Sequence, residues 1–254
     1  MIGTTFYRPF ATGEPFVIHG LEQDETVFRP IQRDHIWEPH LIAVLERIIR
    51  PGFVCMDVGA NIGAITLPLA RLASSGHVHA FEASANAAGL LRSNVVYNGL
   101  TNVTIVQKAI AKESGGMTDL FTVPGQLGTA HQAIEFGRDG ERQQVETLAL
   151  DDYGVSHVDF IKLDIEGSEI AALSGARKLI EGSLPILAIE YNPVPAAWFA
   201  GSERHSLYEV LTGLYPRIEI IGEGGTLQPV SAWAELDQAL TKHVWRDLLC
   251  YSPL

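Results

Sequence analysis

The sequence predicts an α/β protein built on a doubly wound, mostly parallel sheet, and three observations predict it. Residues 53–58 form a short apolar run, the form a strand takes when both of its faces are buried. A Gly-Ala-Asn-Ile-Gly turn and a helix-friendly segment at 64–73 follow directly, which is the order of a nucleotide-binding βαβ unit. Helical and strand-like segments then alternate down the chain, as they do when crossover helices join parallel strands.

The first 34 residues are mixed, with Pro9, Pro15 and Pro30 punctuating short strand-like pieces such as 16–19. From Glu38 the period changes. Leu41, Val44, Leu45, Ile48 and Ile49 share one helical face, and Arg50-Pro51-Gly52 stops the helix. This helix leads straight into the first core strand. Residues 1–52 are therefore expected to form an N-terminal extension and lid helix, with His35, Trp37 and Glu38 over a ligand site. Residues 53–254 make the main domain.

Within that domain, 77–81 is the second strand and ends in Glu82. A helix at 85–97 closes on Asn98-Gly99, a stop suited to left-handed backbone. The third strand is 103–107. Residues 112–143 break the rhythm, being rich in Gly, Thr, Gln and charge, with His131 in the middle. They read as a long irregular insertion, a feature that is usually functional or mobile in a compact domain. Order resumes at 147–150. The fourth strand, 158–163, delivers Asp164 to the carboxyl edge, and Ser168 is placed to cap a helix through Lys178. The fifth, 185–189, brings Glu190 and Asn192 to the same edge. The last two strands, 217–221 and 248–251, read as antiparallel to each other and supply an antiparallel edge.

The glycine turn is not the dinucleotide fingerprint, which reads G-x-G-x-x-G and offers bare amides to a pyrophosphate. Here it reads G-x-N-x-G, with Asp57 two residues ahead of Gly59. A carboxylate there repels pyrophosphate and suits a positively charged ligand, such as the ammonium or sulfonium of S-adenosylmethionine. Glu82 follows Gly63 by about 19 residues, near the offset at which an acid binds ribose hydroxyls. S-adenosylmethionine and NAD both carry that ribose, so Asp57 discriminates and Glu82 does not.

Composition bounds the partners. With 254 residues, 46% of them hydrophobic, the chain can bury a large core. A formal net charge of −12 argues against a nucleic-acid partner and against an anionic membrane surface. Two cysteines, Cys55 and Cys250, give no disulfide framework. No signal peptide is visible and no apolar run reaches the ~18 residues of a spanning helix, so a cytoplasmic protein is expected. Oligomeric state is left open, a homodimer included.

Several stretches together resemble the FkbM family of S-adenosylmethionine-dependent methyltransferases. They are Asp57-Val-Gly-Ala-Asn-Ile-Gly63, Phe81-Glu82-Ala-Ser-Ala-Asn86, Asn94-x-x-x-Asn98-Gly99, Asp159-Phe-Ile-Lys-Leu-Asp164-Ile-Glu166-Gly-Ser-Glu169 and Ile189-Glu190. The resemblance covers roughly residues 36–192 and implies a seven-stranded Rossmann-like sheet, the class I methyltransferase fold, usually acting on oxygen. By position it implies that Asp57, Gly59, Asn61 and Gly63 surround the methionine end of the cofactor, with Glu38 contacting it. Glu82 would hold the ribose with Asn86 close by. Lys108 and Ala109 would flank the adenine, and Asp164 would close the site. Ala83 stands where the family usually has proline. The C-terminal third matches nothing assignable.

Methyl transfer from a sulfonium is largely a matter of positioning, but a hydroxyl acceptor must also lose its proton. The candidates for that base are His131, Glu166 and Glu190, with His35 behind them. Asp164, Glu190 and Asn192 could form an all-oxygen cation site, yet the resemblance implies no metal and none is expected. O-methylation of a small-molecule hydroxyl or carboxylate is the favoured activity. An NAD-dependent oxidoreductase and a non-catalytic S-adenosylmethionine-binding partner subunit are the alternatives.

Overall fold

A computed structural model of the chain describes residues 1–127, 141–193, 203–241 and 244–253. A hairpin of β1 (Ile2–Tyr7) and β2 (Phe16–Leu21) opens it, followed by α1 (Phe28–Asp34) and α2 (Pro39–Ile48). The core then runs β3 (Val54–Val58), α3 (Thr66–Leu72), β4 (His77–Phe81), α4 (Ala85–Tyr97) and β5 (Val103–Val106). A side sheet comprises β6 (Ala109–Ile110), β7 (Met117–Thr122) and β8 (Glu141–Leu148). β9 (Phe160–Leu163), α5 (Glu169–Gly175), α6 (Arg177–Ser183) and β10 (Ile186–Tyr191) return to the core. The chain closes with α7 (Ser206–Leu214), β11 (Arg217–Ile221), β12 (Leu227–Pro229), α8 (Trp233–Leu240) and β13 (Arg246–Tyr251).

The main sheet has eight strands in the order β12-β11-β13-β10-β9-β3-β4-β5. The five from β10 to β5 are parallel. The chain steps outward from β3 to β5, then crosses back to place β9 on the other side of β3. That reversal is the point at which ligands bind in open α/β sheets, beyond the strands' carboxyl ends. The expected α/β fold is thus present, with two differences of detail. The antiparallel strand β13 lies inside the sheet, paired to both β10 and β11, and the antiparallel edge is supplied by β12. Beyond the seven expected strands, β12 adds an eighth. Its Leu-Gln-Pro sequence is exposed throughout and too short for a period of two to register. Pro229 is tolerated because the strand is an edge.

Side chains alternate between the two faces of the sheet. Met56, Val58, Ile161 and Leu163 join the core beneath α5 to α8, whereas Cys55, Phe160, Ala188 and Leu249 join the core beneath α2 and α3. The same alternation sends Asp57, Lys162, Glu190 and Asp247 to the α2/α3 face. There the strand register sets Asp57 opposite Lys162 and Glu190 opposite Asp247. A row of charge therefore crosses the carboxyl end of an otherwise apolar layer.

The N-terminal extension is built into this core. Tyr7, Phe16, Ile18, Phe28 and Ile31 share one cluster with Ala60, Ile62 and Leu91. Two asparagines one helical turn apart on α4 fasten the hairpin. Asn94 Oδ1 accepts from the His19 N–H at 2.7 Å, and its Nδ2 donates to the carbonyls of His19 and Ile62. Asn98 does the same for Val17, at 2.9 Å and 2.7 Å. The Asn-x-x-x-Asn spacing thus serves a sheet edge, and Gly99 ends the helix at φ +65° as expected.

Residues 112–143 are more regular than expected where the structure describes them. β7 pairs antiparallel with β8 along its whole length, and β6 runs parallel to β8. Leu120, Val145 and Ala109 form a small core against Ala83. These strands bury few positions each, so their polar remainder hid the alternation. His131 lies outside the described residues. The helix expected through Lys178 breaks at Ala176, between α5 and α6. Gly175 sits where a Cβ would meet the Ala111 carbonyl at 2.2 Å, so that close crossing shapes the helix. Among the described residues no helix is long and apolar enough to cross a membrane.

The asparagine clasp carries a stability prediction. Asn94 is fully buried, and Asn94→Ala strands three backbone groups at once. The loss should be roughly 2–4 kcal/mol, read from urea unfolding midpoints at constant m. A change under 0.5 kcal/mol would show that the hairpin does not depend on the clasp.

Candidate active site

A cavity of about 390 Å³ opens at the carboxyl ends of β3, β4, β9 and β10, within the range of small-molecule sites. Of the residues singled out from sequence, Glu38, Gly59, Asn61, Glu82, Ala83, Lys108, Ala109, Asp164, Glu166 and Glu190 all line it, as does Trp37.

Backbone geometry at the cavity is unusual. Gly59 adopts φ +87°, and a Cβ there would lie 1.7 Å from the Asp164 carbonyl oxygen. Only glycine lets the β3 turn lie this close to the end of β9. Glu38, Asn61 and Glu166 have φ of 44°, 49° and 53°, a left-handed conformation disfavoured for side-chain-bearing residues. Strain of this kind persists where surrounding structure holds it, and it clusters at functional sites.

The carboxylates are held individually. Glu82 Oε2 accepts from the Asn61 N–H at 2.8 Å and Oε1 from the Ser84 N–H at 2.7 Å. Burial outweighs those two donors and raises its carboxyl to about 7. Glu38 closes the N-terminus of α2 and is raised to about 8, by burial and then by Asp247. Its Oε2 is buried without a hydrogen-bond partner. The oxygens of Asp164, Glu166 and Glu190 approach within 4.8 Å of one another. Burial and then Asp164 raise Glu166 to about 8 and Glu190 to about 11. Three carboxyls so placed have the donor chemistry of a divalent-cation site. However, Lys162 Nζ already lies 2.9 Å from Asp164 Oδ2, and its charge opposes a metal there.

Lys162 is the residue that sequence reading missed. It sits in the middle of β9, 7% exposed, and lines the cavity. Burial alone would lower its pKa, but Asp164, Asp57 and Glu38 outweigh burial and hold it above the usual lysine value. A lone lysine inside an apolar strand was the available signal. Thr26, Val27, Leu127 and Trp245 also line the cavity. They come from the extension, the insertion and the start of β13, where no motif marks them.

Four expected residues stand elsewhere. Asp57 is not at the mouth of the turn but beneath it, fully buried, accepting from the Thr66 hydroxyl at 2.6 Å. The strand alternation turns it into the α2/α3 layer. Gly63 lies off the cavity wall, and its missing Cβ makes room for Leu91 of α4, which a Cβ would meet at 2.7 Å. Asn86 is exposed on α4, away from the wall. His35 is exposed, with Nδ1 on the Phe6 carbonyl at 3.0 Å. Ser168 stands at the N-cap of α5, but its side chain makes no capping bond, and Glu169 at the helix start instead accepts from the Ile165 and Gly167 amides of the preceding loop. Glu166 joins Asp164 and Glu190 in the carboxyl cluster, and Asn192, just past β10, keeps its Oδ1 buried without a hydrogen-bond partner.

The comparisons with known proteins point one way. A family profile described as the methyltransferase FkbM domain matches residues 57–240. A methyltransferase FkbM of Methylobacillus flagellatus KT superposes with a TM-score of 0.50 at 19% identity, over 85% of this chain and 47% of that one. A T. thermophilus 16S rRNA N2 G1207 methyltransferase, solved with AdoMet and guanosine, gives 0.50 at 14%, over 99% of this chain and 51% of that one. At these identities the likeness is one of fold. A ribosomal protein L11 methyltransferase of Caldanaerobacter subterraneus subsp. tengcongensis is 34% identical over 77 residues, 30% of this chain. The chain spans only 25% of that relative's length.

The raised carboxyls set a pH dependence. Glu82 and Glu169 ionise near 4.5 when unfolded and near 7 when folded. Their protonated form thus favours the folded state fully below about 4.5, and that contribution is lost as pH rises through about 7. Ligand-free protein should show a higher urea midpoint at pH 6 than at pH 8. The reverse order would mean that these carboxylates are already ionised at pH 6.

Proposed function

Because the chain belongs to the FkbM methyltransferase family, we propose that it transfers the methyl group of S-adenosylmethionine to an oxygen of a small-molecule acceptor. The observation that carries this reading is the pairing of the Gly59 turn with Glu82 and Asp164 in one acid-lined cavity. The residues fit that cofactor. Glu82 is oriented by two amides and keeps lone pairs for two ribose hydroxyls. Glu38, with its unpartnered buried oxygen, and Asp164 suit the cationic methionine end, beside the bare backbone of Gly59 and Asn61. Ala83, Ala109, Ile110 and Leu120 offer an apolar wall for the adenine, with Lys108 at its rim. Asp57, Gly63 and Thr66 would act by holding the turn.

Bound there, the cofactor supplies an electrophilic methyl group on a sulfonium that leaves as a neutral thioether. The chain's task is to align an acceptor hydroxyl and take its proton. Glu166 and Glu190 line the cavity, as do Trp37 and Trp245, and an acceptor would meet them there. A pyrophosphate would meet Glu38, Glu82 and Asp164, which disfavours NAD. The net charge of −12 and the acidic cavity favour a small neutral or cationic acceptor over nucleic acid.

Calorimetric titration tests the cofactor. S-adenosylmethionine should bind, and Glu82→Ala should weaken it by about 1–3 kcal/mol through lost ribose hydrogen bonds. Tight NAD binding with no response to S-adenosylmethionine would sink the reading. Turnover on an acceptor panel, unchanged after exhaustive chelation, separates a metal-free enzyme from a partner subunit. His131→Ala should retain turnover within a few-fold at saturating cofactor. A loss of ~10²–10⁴-fold would instead move the base to His131.

A further inference from the structure

We propose that Glu190 holds a proton in the cofactor-free protein and surrenders it when the sulfonium enters, so that cofactor binding itself creates the base. The inference rests on the cofactor reading above and concerns how that site is switched on.

Its basis is a count of charges around one residue. Asp164 at the end of β9 and Glu166 in the following loop each bring an oxygen within 4.8 Å of a Glu190 oxygen. From β13, Asp247 stands opposite Glu190 in the register. Asp247 in turn is hydrogen-bonded to His40 Nε2 of α2, which also contributes Glu38 at its start. From α5, Glu169 is engaged by the amides of Ile165 and Gly167. Among the described residues Lys162 brings a positive charge to this edge, on Asp164, with Asp57 and Glu38 also drawing on it, while Lys108 of the cavity rim is paired with Glu146. The groups that act most strongly on Glu190 are therefore acidic. Its Oε2 is buried and meets no hydrogen-bond donor. Ionised, Glu190 would add a negative charge beside Asp164 with nothing to compensate one of its oxygens. Protonated, it removes that repulsion and can donate to Asp164, as close carboxyl pairs share a proton. The direction and cause of its pKa agree, since burial and Asp164 push it up to about 11.

A positive charge brought into the cavity reverses the balance. The proton leaves Glu190 for solvent, and the carboxylate becomes the partner of the incoming cation. When the acceptor oxygen forms its bond to the methyl carbon and the carbon–sulfur bond breaks, Glu190 takes the hydroxyl proton. The sulfonium charge has then gone with the thioether, and Glu190 is protonated again, as it was at rest. The proton released on binding is the one proton that the overall transfer produces.

The experiment is calorimetry of cofactor binding at pH 7.5 in two buffers of different protonation enthalpy. S-adenosylmethionine should release close to one proton per site. S-adenosylhomocysteine, which lacks the sulfonium charge, should release far less. Affinity for S-adenosylmethionine should rise with pH by up to tenfold per unit below the free-state pKa. Glu190→Gln should still bind S-adenosylmethionine but lose the release. Equal release with both ligands, binding with no proton exchange, or release persisting in Glu190→Gln would each overturn the proposal. Should that variant not fold, the comparison of the two ligands on the natural chain decides alone. Absence of any binding heat would overturn the cofactor reading and this inference together, whereas binding without release overturns the inference only.

Discussion

The structure depends on one buried ammonium. Lys162 projects from the centre of the sheet into a layer that is otherwise apolar, opposite Asp57 and bonded to Asp164. For fully buried Asp57 the lysine's charge works against the burial that raises that carboxyl, since an unpaired charge in such a place costs several kcal/mol. Lys162 in turn could not stay charged without Asp57 and Asp164. The two strand ends at the switch point, those of β3 and β9, thus constrain each other. Asp57 holds the Thr66 hydroxyl at the head of α3, and Asp164 lends its carbonyl to the Gly59 contact. The electrostatic pair and the steric fit of the glycine turn are two faces of the same juxtaposition.

From that centre the polar row extends outward. Glu38 reaches it from α2, Asp247 is met by His40, and Glu190 and Glu166 stand at the end with acids beside them. Such an arrangement is poorly designed for stability. It suits a cationic ligand such as the proposed sulfonium. The left-handed backbone at Glu38, Asn61 and Glu166 has the same character, being local cost accepted where the cavity wall needs a particular direction. The surrounding structure absorbs it. The asparagine clasp of α4, the hairpin core around Tyr7 and Phe16, and the small side sheet under Ala83 tie the wall to the sheet from three sides.

Much of this was legible in the chain. Short apolar runs at 53–58, 77–81 and 158–163 are strands because both faces are covered, and that doubly buried state is written in composition. Glycine at 59 and acids at 82 and 164 fall at strand ends, and strand ends in a parallel sheet share one edge. Fold class, edge and most of the cavity wall follow from local pattern plus that single topological rule. The polar strands β7 and β8 did not announce themselves, since a half-exposed strand with few buried positions lacks a clear period.

What local sequence determined by itself was therefore which residues reach the carboxyl edge of the sheet. Which face each one takes there, and what charge it can carry, was decided by the tertiary structure. Asp57 reads as a ligand-facing acid until the register turns it under α2 and α3, opposite a lysine about a hundred residues later that nothing local links to it. Glu190 reads as an ordinary strand-end carboxylate until β13, arriving from the far end of the chain, sets Asp247 beside it. Burial and neighbouring charge are sums over the whole fold, and no window of sequence contains their terms.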